Sequence, residues 1–171
     1  DNYVGAYRWA TDRLGDNDGV ISFVTPNGWL TGSAFEGFRK TIEQEFSKIY
    51  VFNLRGNQNG SNWREEGEKV FGEGSKVGIS IMLLVRTKGW KGKATNNDYA
   101  VPDRLKRREK LDLLIKNESF ITQNLSNQMT VLKPKENGDW IIERNDSFQL
   151  LLPMAGDVHK NSKNSQINHY L

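Results

Sequence analysis

The chain has 171 residues, 36% hydrophobic and 11% aromatic, enough to bury one core but too short for two full domains. It contains no cysteine, which excludes disulfides and thiolate zinc sites and fits a reducing, cytoplasmic setting, and its two histidines, His159 and His169, sit in a polar tail. No apolar run reaches the roughly 18 residues of a membrane span, so no membrane association is expected, and the net charge of +3 hides an uneven distribution. Residues 86 to 135 hold twelve basic and five acidic side chains, whereas the stretches on either side are each net acidic. Such a basic island attracts phosphates, although a solvated helix face with a Lys-rich loop gives the same count.

Tyr3, Val4, Tyr7, Ala10 and Leu14 recur at helical spacing and predict an amphipathic helix over Asn2 to Leu14, stopped by Gly15-Asp16-Asn17-Asp18-Gly19. Val20 to Thr25 is short, β-rich and apolar on both sides, which predicts a strand buried inside a parallel sheet and ended by Pro26-Asn27-Gly28. Ser33 is placed to cap a helix with Phe35, Phe38, Ile42 and Phe46 on one face. Ile49 to Leu54 follows as a second strand, so the order is strand, helix, strand, the unit of a doubly wound sheet.

Between Arg55 and Gly74 the chain turns polar and carries five glycines, a loop of a length that is usually functional or disordered. Val77 to Val85 reads as a third strand, and the long excursion before it allows an antiparallel pairing with the second. Pro102 precedes a predicted helix over Asp103 to Ile115 with Leu105, Leu111, Leu114 and Ile115 as its apolar stripe. Met129 to Leu132 and Trp140 to Glu143 flank an Asn137-Gly138 turn and predict a hairpin; residues 156 to 171 are polar and predicted to fray.

Several short patterns fail on context. Phe71-Gly72-Glu73-Gly74-Ser75-Lys76-Val77-Gly78 looks like a phosphate loop, but it opens a strand, whereas a dinucleotide fingerprint follows a strand and opens a helix. There is no Walker lysine motif and no Gly-x-Ser-x-Gly elbow. No catalytic residue is assigned within the chain.

The order of these parts resembles the N6-adenine DNA methyltransferases in which the cofactor motif precedes the catalytic one. The resemblance covers residues 1 to about 88 and rests on four segments: the helix Asn2 to Leu14, the run Gly19 to Leu30, the helix containing Phe35-Glu36-Gly37-Phe38-Arg39-Lys40-Thr41-Ile42, and Val70-Phe71 ahead of an apolar strand. It implies the C-terminal half of a doubly wound, Rossmann-like α/β sheet in residues 1–88. Residues 89–171 would then be a small α+β appendage of basic helix, hairpin and polar tail. Arg108-Glu109-Lys110-Leu111, Gly138-Asp139-Trp140 and Phe148 are similar to the segment after the catalytic domain in type ISP enzymes, where helicase and methyltransferase share one polypeptide.

In that family the aromatic residue matching Phe71 stacks on an adenine rotated out of the duplex, since a methyl donor cannot reach the amino nitrogen inside the stack. A phenylalanine that merely anchors the loop on the core is the alternative. Double-stranded DNA is the implied partner, with Arg86, Lys88, Lys91, Lys93, Arg104, Lys106, Arg107 and Arg108 as candidates for backbone phosphates.

The family's Asn-Pro-Pro-Tyr segment and its glycine-rich S-adenosylmethionine turn are both missing, so both are expected upstream of Asp1, in a longer polypeptide. The piece alone is predicted inactive and without bound cofactor. An exposed sheet edge in such a piece carries a risk of non-native dimers. The rival reading is a non-catalytic α/β module for DNA binding or protein interaction.

Overall fold

A computed structural model describes residues 2–72, 74–116 and 128–141. The helix α1 (Asn2–Leu14) leads into strand β1 (Gly19–Pro26), a 3₁₀ turn over Asn27–Leu30, helix α2 (Glu36–Glu45) and strand β2 (Lys48–Arg55). A short helix α3 (Trp63–Glu66) interrupts the long loop before β3 (Ile79–Arg86); β4 (Thr95–Ala100), α4 (Arg107–Lys116) and β5 (Thr130–Leu132) follow. The fold is α/β, built on one mixed sheet of five strands in the order β1-β3-β2-β4-β5.

β3 lies between β1 and β2 and runs antiparallel to both, so the third strand sits beside the second in the orientation that the long excursion allows. β2 and β4 are parallel, and β5 pairs antiparallel with β4. The carboxyl ends of β1, β2 and β4 therefore share one edge of the sheet with the start of β3.

The face carrying Ile21, Ile49, Val51, Met82 and Leu84 packs against α1 and α2. Trp29, Phe46 and Tyr7 complete this core, each about 1% exposed or less. Aromatic edges lock it: Tyr7 meets Phe23 at 4.9 Å, and Trp29 meets Phe38 at 5.7 Å and Trp140 at 5.5 Å. Arg39, fully buried on α2, donates to the carbonyls of Trp29 (2.6 Å), Gly32 (2.8 Å) and Gly138 (2.7 Å), with Asp139 at 3.8 Å. One guanidinium thus ties the turn after β1 to the turn before Trp140. The opposite face of the sheet packs Phe52, Leu54, Val70, Ile79 and Val101 beneath the loop and α4.

Three expectations change and one strand is added. β1 is an edge strand with Val20 and Val24 more than half exposed, because β3 takes one side and nothing among the described residues covers its second face. Ser33 makes no cap; it opens a 3₁₀ turn, and α2 starts at Glu36. The helix near residue 103 begins instead at Arg107; Leu105 and Leu114 pack on the core, but Leu111 and Ile115 are exposed and Lys110 is buried. β5 pairs with β4, and the expected turn closes through the Lys135 N–H to Asp139 O at 3.0 Å with Trp140 entering the core; Ile142 and Glu143 of the expected return strand lie outside the described residues. β4, with the polar wording Thr-Asn-Asn-Asp-Tyr-Ala, was not foreseen at all. The tail from 156 and Phe148 lie outside the described residues, as do both histidines. Among the described residues no helix is long and apolar enough to cross a membrane.

Asp98 on β4 has a buried Oδ1 with no hydrogen-bond partner among the described residues, and burial pushes its carboxyl up to about 6. An acid whose pKa rises on folding loses stabilisation as pH climbs through the folded value, so Asp98 costs stability above about pH 6. Asp98→Val is therefore expected to raise stability at pH 7.5 by about 1–3 kcal/mol. The gain should vanish near pH 4 in urea titrations; a gain independent of pH would contradict this origin.

Candidate nucleic-acid interface

In open α/β sheets ligands gather outside the carboxyl ends of the strands, and here that edge is built by three loops. Asn27, just past β1, donates from Nδ2 to Asn53 Oδ1 at 2.9 Å, and its backbone N–H donates to Gly78 O at 2.9 Å. A side chain at Gly78 would collide with Asn27, its Cβ standing 2.5 Å from Nδ2. Trp29 Nε1 donates to Ser80 Oγ at 3.3 Å. The β1 side of the edge is thus closed by protein.

The β2 side opens into the long loop. Arg55 ends the strand at φ 57°, a left-handed conformation that costs a non-glycine residue about 1–2 kcal/mol. It bonds the carboxylate of Asp103 and lies 3.6 Å from that of Glu66. Gly56 follows at φ 90°, where the chain turns away. The loop returns through Gly67, whose carbonyl accepts from Gln58 Nε2 at 2.9 Å, and the Gln58 N–H donates to Lys76 O at 2.8 Å.

Val70 is 6% exposed and anchors the return to the core, while its neighbour Phe71 is 50% exposed. The ring is not an interior anchor. It lines a cleft of about 530 Å³ together with Gln58, Glu68, Lys69, Gly72, Lys76 and Arg107. Three cations, one carboxylate and a half-bare aromatic ring is a composition suited to a base with its phosphate, where stacking supplies the apolar contact and the cations meet the charge.

The eight basic residues do not form one patch. Arg104, Lys106, Arg107 and Arg108 lie at the carboxyl edge, at or just before α4, and all four are exposed. Of these, Arg107 reaches the Phe71 cleft, whereas Arg104 sits 3.6 Å from Glu65. Arg86, Lys88, Lys91 and Lys93 lie at the opposite edge, an eight-residue strand away, or about 25 Å. Arg86 is engaged within the protein: Nε donates to Glu45 O at 3.0 Å, a second nitrogen bonds Gly15 O, and the guanidinium lies 5.0 Å from the Phe46 ring. Lys88, Lys91 and Lys93 are exposed around Trp90, itself 48% exposed. Lys69, Lys76 and Gln58 belong to no functional motif in the sequence; the two lysines lie either side of the Val70-Phe71 pair, outside the basic stretch at 86–135.

A second cavity, about 490 Å³, runs between α1 and α2 on the other face, lined by Val4, Tyr7, Phe35, Phe38 and Ile42. Its ionic groups, Arg8 and Glu45, are paired at 2.7 Å. It lacks the mixed chemistry of the Phe71 cleft. Among the described residues no group of acids or histidines is arranged to hold a metal ion.

No protein-family model matches the chain, and no curated protein does. Solved structures do match. The ATP-dependent type ISP restriction-modification enzyme LlaBIII bound to DNA is 29% identical with a TM-score of 0.79, over 94% of this chain and 10% of that one. A nuclease-deletion mutant of the type ISP restriction-modification enzyme LlaGI, in complex with a DNA substrate mimic, is 35% identical with a TM-score of 0.74, over 92% and 12%. A DrdV–DNA complex is 31% identical with a TM-score of 0.70, over 83% and 13%. The chain spans about a tenth of the length of these structures. It is related in sequence and fold to a portion of type ISP restriction-modification enzymes.

Proposed function

We propose that this chain is the post-catalytic portion of a DNA adenine-N6 methyltransferase within a larger restriction-modification polypeptide, and that Phe71 stacks on the extruded target base. The observation that carries this reading is the half-bare Phe71 ring beside Lys69, Lys76 and Arg107 at the carboxyl edge, one residue beyond a buried Val70. Extruding a base costs a few kcal/mol, and a waiting aromatic face offsets part of that.

The sheet supports the same reading. β1 has a free edge, and Val20 and Val24 face outward without cover among the described residues. Upstream strands and helices of a doubly wound domain would add to that edge and bury that face. S-adenosylmethionine does not fit the residues present. The described carboxyl edge offers the Asn27–Asn53 pair, a buried Trp29 and an Arg55 committed to carboxylates, with no glycine-rich turn after β1 to admit a methionine moiety. The cofactor and the catalytic motif belong, in this reading, to the upstream half, and the intact protein is cytoplasmic.

The test restores the upstream sequence and follows methyl transfer to adenine N6 in duplex DNA. No transfer by the complete polypeptide, with duplex binding intact, would favour a non-catalytic DNA-binding module.

The two-edged charge distribution gives a second expectation. With Phe71 on the target base, Arg107→Ser should weaken duplex binding about 5- to 10-fold and lower the salt slope of log K by about 1. Lys91→Ser at the far edge should change neither. Equal effects of the two variants in salt titrations would contradict a DNA path along the carboxyl edge.

A further inference from the structure

The loop that carries Phe71 is fastened to α4 rather than to the sheet alone. The Arg104 N–H donates to Glu65 O at 3.0 Å, the Glu68 N–H donates to Leu105 O at 2.9 Å, and the Arg107 N–H donates to Glu68 Oε2 at 2.8 Å. The approach is so close that Gly67, at φ 69°, admits no side chain: a Cβ would stand 2.4 Å from Leu105 O. At the centre sits Lys110, 0% exposed, donating from Nζ to Glu66 O at 2.8 Å and to Glu68 O at 2.7 Å.

Nothing in building α4 calls for a lysine there. The neighbouring core of Phe52, Leu54, Val70, Leu113 and Leu114 is apolar, and a methionine would cover it at no desolvation cost. What the lysine does and a methionine cannot is hold two carbonyls, on either side of Gly67, two residues before the buried Val70. Those carbonyls set where the chain enters Val70 and Phe71.

We propose that Lys110 is the positioning residue of the base-stacking site: its Nζ clips the Glu66 and Glu68 carbonyls to α4 and so fixes Phe71 beside Arg107. This rests on the assignment of Phe71 to the extruded base. The clip also makes the loop sensitive to pH. Desolvation lowers the Lys110 amine to about 8; the carboxylates of Glu66 and Glu68 in the loop oppose that shift, and Arg55 at the end of β2 adds to it. Glu109 on its own helix is turned to the Lys106 N–H, at 2.7 Å.

A released, solvated lysine has a pKa near its ordinary value of about 10.4, above that of the docked one, so docking sheds a proton across the interval between them. Docking therefore tightens as pH rises through 8, and the neutral amine still donates both hydrogen bonds. The expected gain between pH 7.5 and 9.5 is on the order of tenfold.

The rate of tryptic cleavage at the Lys69–Val70 bond of the 171-residue chain, divided by that of a free peptide with the same loop sequence, reads loop release directly. The normalised rate should fall about tenfold from pH 7.5 to 9.5 in the wild type and in the exposed-lysine control Lys106→Met, and stay flat in Lys110→Met. A flat wild-type profile, or a Lys110→Met profile that parallels it, overturns the proposal. Should Lys110→Met fail to fold, Lys110→Arg, which stays charged across this range, takes its place and should likewise be flat.

In the intact polypeptide, affinity for duplex carrying 2-aminopurine at the target base should rise with pH in the wild type relative to Lys110→Met. Loop release that changes with pH while this affinity does not would overturn the positioning role. If instead Phe71→Ala leaves the 2-aminopurine signal untouched, it is the stacking assignment that fails, and the cleavage profiles stand independently.

Discussion

Phe71→Ala in the intact polypeptide is expected to lower kcat/KM for adenine methylation by about 10- to 100-fold while leaving the melting temperature and the affinity for non-specific duplex nearly unchanged. The size follows from base–aromatic stacking, worth about 1–3 kcal/mol by alanine substitution. The selectivity follows from position. Phe71 is 50% exposed and belongs to neither core cluster, so its removal leaves no cavity, whereas Val70 beside it is buried. Phe71→Trp should retain most activity, since a larger π-face still stacks. Steady-state methyl transfer with a single adenine site measures both; loss of fold or unchanged turnover in the alanine variant would each count against the stacking role.

Arg39→Leu is expected to be the most destabilising single change, by about 3–5 kcal/mol, a large share of a small domain's stability. Three backbone carbonyls, those of Trp29, Gly32 and Gly138, would lose their charged donor, and Asp139, 4% exposed, would keep a carboxylate beside the vacated site. Arg39→Lys should recover only part, because a point charge cannot reach carbonyls from two separate turns as a planar fork does. Urea unfolding decides it. A loss below about 1 kcal/mol would mean the turns are held by the Trp29–Trp140 contact rather than by the guanidinium.

The parts of the fold written in periodicity were legible. α1 spans the predicted Asn2–Leu14, and β2 and β3 lie within two residues of their predicted bounds, because their cores are continuous apolar runs. β4 was illegible for a physical reason: Asn96 and Asp98 face the helix-covered side where apolar residues are the usual signal, and only Tyr99 stacked on Phe52 at 5.0 Å betrays the strand. α4 misled in the opposite sense. Its leucines look like a stripe, but the helix is docked through Lys110, so the buried face is centred on a cation that pattern reading assigns to solvent.

The site divides along the same line. Phe71 came from resemblance to a motif, and its exposure agrees with a ring free to meet a ligand. The basic island came from counting charges along the chain, and counting cannot see that an eight-residue strand returns Arg86 and Arg107 to opposite edges. Nor could it see that Lys69 and Lys76, either side of Phe71, share its cleft.

Fluorescence of 2-aminopurine placed at the target adenine tests most directly whether the Phe71 ring receives a base drawn out of DNA, because the probe brightens on leaving the stack and is quenched again by an aromatic partner. With the intact wild-type polypeptide the bound probe should be unstacked from DNA yet partly quenched, and Phe71→Ala should brighten it several-fold while weakening its retention. Identical intensity and affinity in the two proteins would contradict the account.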